Sequence, residues 1–182
     1  MKSGKVLQVA QLGHKVIRQK AKPVKNIKDQ KIQDLIDNLI ATCRDFDGLG
    51  IAAPQVYESL RLFIIWSRPS ARYPKAPKFG PEVVINPKII SQSKETKKDW
   101  EGCLSIPGVR APIERSTKIE VEYFDRKGKI KRKKFSDFTA RVFLHEFDHI
   151  NGIVFLDRAL SLDIVTEKEY QKMIKKGYTH KR

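Results

Sequence analysis

The sequence predicts an α+β fold arranged around one central helix, and three observations carry that prediction. Apolar residues recur at helical spacing early in the chain. They then alternate at strand spacing through the middle, and afterwards surround a single H-E-x-x-H motif. Strands gathered ahead of a helix, without a repeat, read as α+β. With 182 residues and 40% hydrophobic content, the chain suits one domain over 1–182, ending in a helix and basic tail from about residue 165.

The elements follow in order. Ile32, Leu35, Ile36, Leu39, Ile40 and Cys43 form one apolar stripe, predicting a helix over 28–44. Arg61 to Trp66 and Val83 to Ile90 read as strands, separated by a proline-rich, basic surface loop over 67–81 beside the substrate cleft. Trp100 to Gly108, with glycines and a proline around Cys103, reads as a shaped loop. Thr117 to Asp125 alternates, and Arg126-Lys127-Gly128 turns it into a second strand, Lys129 to Phe135. Ser136-Asp137 then offers an N-cap and Gly152 a stop for the motif helix. A last helix begins near Thr166 with the capping box Thr166-x-x-Glu169.

His145-Glu146-Phe147-Asp148-His149 carries the chemistry. Residues four apart lie about 40° apart around a helix, so both imidazoles can grip one metal ion. Glu146 then stands beside a metal-activated water as its proton acceptor. The apolar flanks Phe138, Val142 and Leu144 imply burial, and buried histidines and acids need a partner that a metal supplies. Asp148 is expected to pair with an arginine or to orient a ligand.

A catalytic metal held by two histidines needs a third protein ligand and an open position. Of the two cysteines, Cys43 closes the apolar stripe and is expected in the core, whereas Cys103 sits in the shaped loop and is the candidate ligand. A disulfide between them is conceivable, but so few cysteines suit a reducing compartment. Thiolate with two imidazoles suits zinc or ferrous iron. Gly48-Leu49-Gly50-Ile51-Ala52-Ala53-Pro54-Gln55 is the third informative stretch. Its small residues admit a substrate backbone, and Gln55 offers an amide to a developing oxyanion, unless the stretch is a plain structural turn. It matches neither the G-x-G-x-x-G pattern nor a P-loop.

Taken together, Gly48–Gln55, Glu101–Ser105 and His145–His149 resemble the three ordered motifs of the peptide deformylase family, and the resemblance runs over roughly residues 5 to 160. It implies antiparallel and mixed sheets around a central metal-binding helix. It also implies a metal-dependent hydrolase that removes the formyl group from the N-terminal methionine of nascent peptides, releasing formate. Cys103, His145 and His149 would hold one divalent ion, Fe2+ as native metal with Zn2+, Ni2+ or Co2+ as substitutes. Glu146 would act as general base and acid, and Gln55 with the Leu104 N–H would stabilise the oxyanion. Gly50 would pair with the peptide as an added strand, while Phe138, Arg141 and Val142 would line the methionine pocket. The Arg141 stem is expected to pack there with its head group reaching out. One departure stands out: Leu144 occupies the place of the family's usual glutamine, and the expectation is a weaker hold on substrate.

Charge is the other unusual quantity. Lys and Arg number 37 against 21 acids, a net of +16, and seven of the nine residues from Arg126 to Lys134 are basic. Lys172, Lys175, Lys176, Lys181 and Arg182 add to it near the C-terminus. Such a field attracts nucleic acid without reading its sequence, so transient contact with ribosomal RNA is expected. No apolar run approaches the roughly 20 residues of a membrane span. Because the resemblance starts near residue 5, no removable leader is expected, and a cytoplasmic location follows. Two alternatives remain: a general zinc peptidase, its third ligand being Glu167 or Glu169, and a non-enzymatic, basic ribosome-associated relative.

Overall fold

The computed structural model describes residues 4–69 and 76–177. Its first long element, helix α1, is Gln30–Asp45, capped by the Asp29 carboxylate, which accepts from the Lys31 N–H. Five strands form an antiparallel sheet in the order β1 (Gly50–Ala52), β2 (Leu62–Ser67), β3 (Phe79–Gln92), β6 (Lys118–Phe124) and β7 (Ile130–Ser136). A second sheet holds β4 (Thr96–Cys103), β5 (Ile106–Ser116) and β8 (Val165–Thr166) in that order. Helix α2 is Asp137–His149, and α3 is Glu167–Lys175.

Strand β2 shows why the layers stack as they do. Leu62 and Ile64 pack with α1 residues Leu35, Ile36 and Leu39, whereas Phe63 and Ile65 pack with α2 residues Phe143 and Leu144. Successive side chains point to opposite faces, so a strand covered on both sides reads as an unbroken apolar run. The order of layers is therefore α1, five-stranded sheet, α2, with the smaller sheet against the far side of α2, where Arg141 binds the Ile113 carbonyl of β5. The α+β class and the central helix are as expected.

Two segments differ from expectation. The loop over 67–81 is shorter, because Ser67 ends β2 and pairs with Phe79 at the start of β3; its middle, 70–75, lies outside the described residues. The loop expected at 100–108 is the end of a hairpin instead: β4 pairs with β5 from Thr96↔Ser116 to Cys103↔Ile106, with a register shift between Glu101 and Cys103. Gly102, Pro107 and Pro112 disguise these strands, and a bulged strand tolerates such residues. At the start of α2 Ser136 takes the N-cap position but makes no side-chain capping bond, whereas the later turn and the last helix are as expected. Asp125 and Gly128 close the β6–β7 turn, Gly128 at φ +78°, and Thr166 caps α3 by accepting from the Glu169 N–H. Of the basic tail, Lys181 and Arg182 lie outside the described residues. Among the described residues no helix is long and apolar enough to cross a membrane.

Candidate metal centre

Helix α2 and the end of β4 bring three ligand atoms together. The Cys103 Sγ and one ring nitrogen from each of His145 and His149 all lie within 4.8 Å of one another. The histidines share a helical face, their ring centroids 5.0 Å apart. Cys103 Sγ is 3.2 Å from His149 Nε2 and accepts from the Ser105 N–H at 3.4 Å. The register shift just before Cys103 re-aims the strand end towards α2, a common use of a bulge beside a site. Cys43 is free and fully buried against α1's neighbours, as expected, and burial pushes its thiol up to about 12. Both cysteines are unpaired, so the disulfide does not form.

A buried charge network orients the first histidine. His145 Nδ1 meets Glu101 Oε2 at 2.8 Å, leaving the other ring nitrogen for Cys103 and a metal. Arg115 donates to both Glu101 oxygens at 2.9 Å and also to Asp148, and Arg158 grips Asp148 with two bonds at 2.7 Å. Asp148 thus pairs with arginines, as expected. Burial alone would raise the Glu101 carboxyl, but the Arg115 and His145 contacts outweigh it and hold it well below the carboxylate range. Burial disfavours charge on His145, yet bonds to Cys103 and Glu101 raise it well above its ordinary value. Burial, then the neighbouring His145 charge, holds His149 well below. The donor set suits a divalent ion: one cysteine sulfur and two imidazoles converge, one of them oriented by a carboxylate.

Glu146 lies beside the ligands, buried, with Oε2 lacking a hydrogen-bond partner among the described residues, and burial pushes its carboxyl up to about 7. Its carboxylate rests on Gly50, where an added Cβ would come within 2.6 Å of Oε1. That glycine is required by Glu146, a reason the sequence did not suggest. Gln55, in the 3₁₀ turn Ala53–Val56, accepts from the Ala52 N–H through Oε1 at 2.8 Å, which turns Nε2 towards Ser105 Oγ at 3.3 Å and Cys103 Sγ at 3.4 Å. Gly48–Gln55 is therefore a short strand and turn holding a directed amide.

A cavity opens beside these groups, lined by Gly50, Leu104, Phe138, Arg141 and Val142, all anticipated, together with Trp100 and Leu49. The Arg141 expectation needs correction. Its guanidinium does not reach out; it turns inward to Glu101 Oε1 and the carbonyls of Lys97, Asp99 and Ile113, and the residue is 8% exposed. Four acceptors replace the water it would otherwise seek. Leu144 is corrected too: it points into the core with Phe63 and Phe143 and is absent from the cavity lining. Glu167 binds Arg110 and Glu169 binds Lys172, so neither completes the peptidase site once considered. Sequence reasoning missed Arg115 and Arg158, because an isolated arginine carries no local signal, and gave Ser105 no role although it ends the Glu101–Ser105 motif.

The polypeptide deformylase family model matches residues 6–164. Peptide deformylase 2 of Nostoc sp. is 51% identical over 173 residues, spanning 94% of this chain and 97% of that protein. The peptide deformylase of Dictyoglomus turgidum is 37% identical, spanning 90% and 99%. Among solved structures, the Met-Ala-Ser-bound class I type b peptide deformylase from Acinetobacter baumannii superposes with a TM-score of 0.82 at 41% identity, covering 84% of this chain and 98% of that one. The actinonin complex of a peptide deformylase from Synechococcus elongatus gives 0.77 at 34% identity, over 99% and 93%. With that breadth of agreement in sequence and in backbone, this chain belongs to the peptide deformylase family.

Proposed function

We propose that the whole chain, 1–182, works as one catalytic domain in which the following residues carry the family's reaction, removal of the N-formyl group from nascent peptides. The observation behind this reading is the convergence of Cys103, His145 and His149 beside a buried, partnerless Glu146 oxygen. These three residues hold a divalent ion, with Fe2+ as the native metal and Zn2+, Ni2+ or Co2+ as substitutes. When bound, the ion would supply Lewis acidity, the chemistry that activates water and a carbonyl near neutral pH.

The chain's own groups do the rest. Glu146 takes the proton of the attacking water and returns it to the leaving amine, a task suited to a buried carboxyl beside the metal ligands. The Gln55 Nε2 and the Leu104 N–H donate to the oxygen on which charge develops, about 3 to 4 kcal/mol per donor. Strand β1 is the edge of its sheet, so Gly50 presents free backbone to a peptide lying alongside as an added strand. Phe138 and Val142 supply apolar wall for the methionine side chain, and the Arg141 stem backs them while its head group is fixed elsewhere. The protein acts in the cytoplasm, and its basic surface gives transient contact with ribosomal RNA near emerging chains. The test is formate release from formyl-Met-Ala-Ser by anaerobically purified protein. No release with any of the four metals would defeat the reading.

A further inference from the structure

The chemistry above makes no use of α3, yet that helix is fastened to the wall of the substrate cavity at two places. The Tyr170 ring lies 5.1 Å from the ring of Trp100, centroid to centroid, and Trp100 lines the cavity. Beside it, Arg110 Nε donates to Glu167 Oε2 at 2.6 Å, and the same guanidinium lies over the Tyr170 ring, 5.1 Å from its centroid. Arg110 is almost fully buried and presses on the other end of that wall: a Cβ added to Gly102 would meet its guanidinium at 2.9 Å. The start of the helix is tied to the same strand, with Val165 paired to Arg110 and Thr166 to Val109. Contacts therefore run without a gap from α3 through Trp100 and Arg110 to the wall formed by 100–102.

We propose that Tyr170 and Glu167 are positioning residues for the substrate cavity. They act through Trp100 and Arg110, touch neither metal ligand nor reacting atoms, and set the width available to the side chain behind the formyl group. This rests on the reading that the cavity takes the methionine side chain. A tryptophan on one face of a strand has rotamers to choose from, and a ring packed behind it removes that choice. When the backing is lost, the wall gives way and the bound side chain loses close contacts that each contribute little but together decide binding. Binding of the side chain then weakens, whereas the reacting groups stay in place.

Kinetics of Tyr170→Leu and Tyr170→Phe test this, together with metal content and Trp100 emission in a Trp66→Phe background, where a single tryptophan remains. For Tyr170→Leu the expected KM for a formyl-Met peptide rises about 3- to 10-fold, the range an aromatic pair is worth. The kcat stays within about twofold, as befits a contact shared by ground and transition states. Preference for formyl-Met over formyl-Phe peptides narrows, metal stays at one ion per chain, and Trp100 emission shifts to the red. Tyr170→Phe, which keeps the ring, behaves as wild type. Unchanged kinetics and emission in Tyr170→Leu overturn the proposal, and so does a fall in kcat with loss of metal, which would place the effect at Cys103. Wild-type protein that releases no formate defeats instead the functional reading beneath it.

Discussion

Glu146 is buried beside the cavity, and among the described residues Oε2 has no donor; that burial raises its pKa and suits its use. Replacing it with Gln should leave the metal bound and lower turnover by roughly 10² to 10⁴-fold, the worth of a positioned acid or base. His145→Ala or His149→Ala should lose the metal itself, and elemental analysis of the three variants separates the roles. A bound cation favours the Glu146 carboxylate, so the acid limb of kcat/KM should fall below pH 7; a limb above 7 would assign the proton to another group. The position of Leu144 favours a packing role. At 7% exposure among Phe63, Phe143 and Val121, it is core, and a glutamine there would bury an amide without partners. Leu144→Gln should cost about 1 to 3 kcal/mol in denaturant unfolding and leave KM unmoved. A lowered KM with full stability would return the residue to the substrate site.

At the scale of elements, α2 and the β4–β5 hairpin are joined by buried charge rather than by apolar packing alone. Arg115 from β5 bridges Glu101 of β4 and Asp148 of α2, and Glu101 holds His145. Arg115→Met leaves two carboxylates buried without their shared partner, which costs about 3 to 5 kcal/mol in comparable cases. Metal affinity should fall as well, by about 10- to 100-fold, because the ligand's orienting contact loosens. The pH dependence has a definite sign. The folded Glu101 carboxyl is held below its ordinary 4.5, so its contribution is complete above that value and drains away as pH falls below it. Unfolding titrations should therefore show stability dropping below about pH 4.5, with a shallower slope in Glu101→Gln. This joint also marks how far sequence could lead. His145, His149 and Cys103 were legible because local spacing or a distinctive motif identifies them. The β4–β5 pairing was not, because Gly102, Pro107 and Pro112 interrupt the pattern a strand should show, while its partner strand and the Arg115 bridge are set by contacts distant in sequence. α1 and β2 were legible to within two residues because burial imposes its period on the residues themselves.

Across the whole molecule, the positive charge divides into two kinds. Of the basic run from Arg126 to Lys134, Arg126, Lys131, Arg132 and Lys133 are ion-paired, to Asp37, Asp125, Glu120 and Glu82. Those residues stabilise the turn and β7, an edge strand on which lysines also deter pairing with another chain. Lys127, Lys129 and Lys134, and on α3 and its end Lys168, Lys175 and Lys176, have no ion pair among the described residues and remain available to an anionic partner. An electrostatic contact with RNA should therefore depend on these lysines and on salt, without depending on sequence. Association with ribosomal RNA, measured between about 50 and 200 mM salt, should weaken steeply, as counterion release requires. Changing Lys127, Lys129 and Lys134 to Gln should lower the slope of log K against log salt by about one for each lysine that touches phosphate. Turnover of a short formyl-Met peptide should not change, since none of the three lines the cavity. Binding that ignores salt, or a triple variant that binds as tightly as wild type, would make the unpaired lysines a solubility device and leave catalysis as the molecule's only business with the nascent chain.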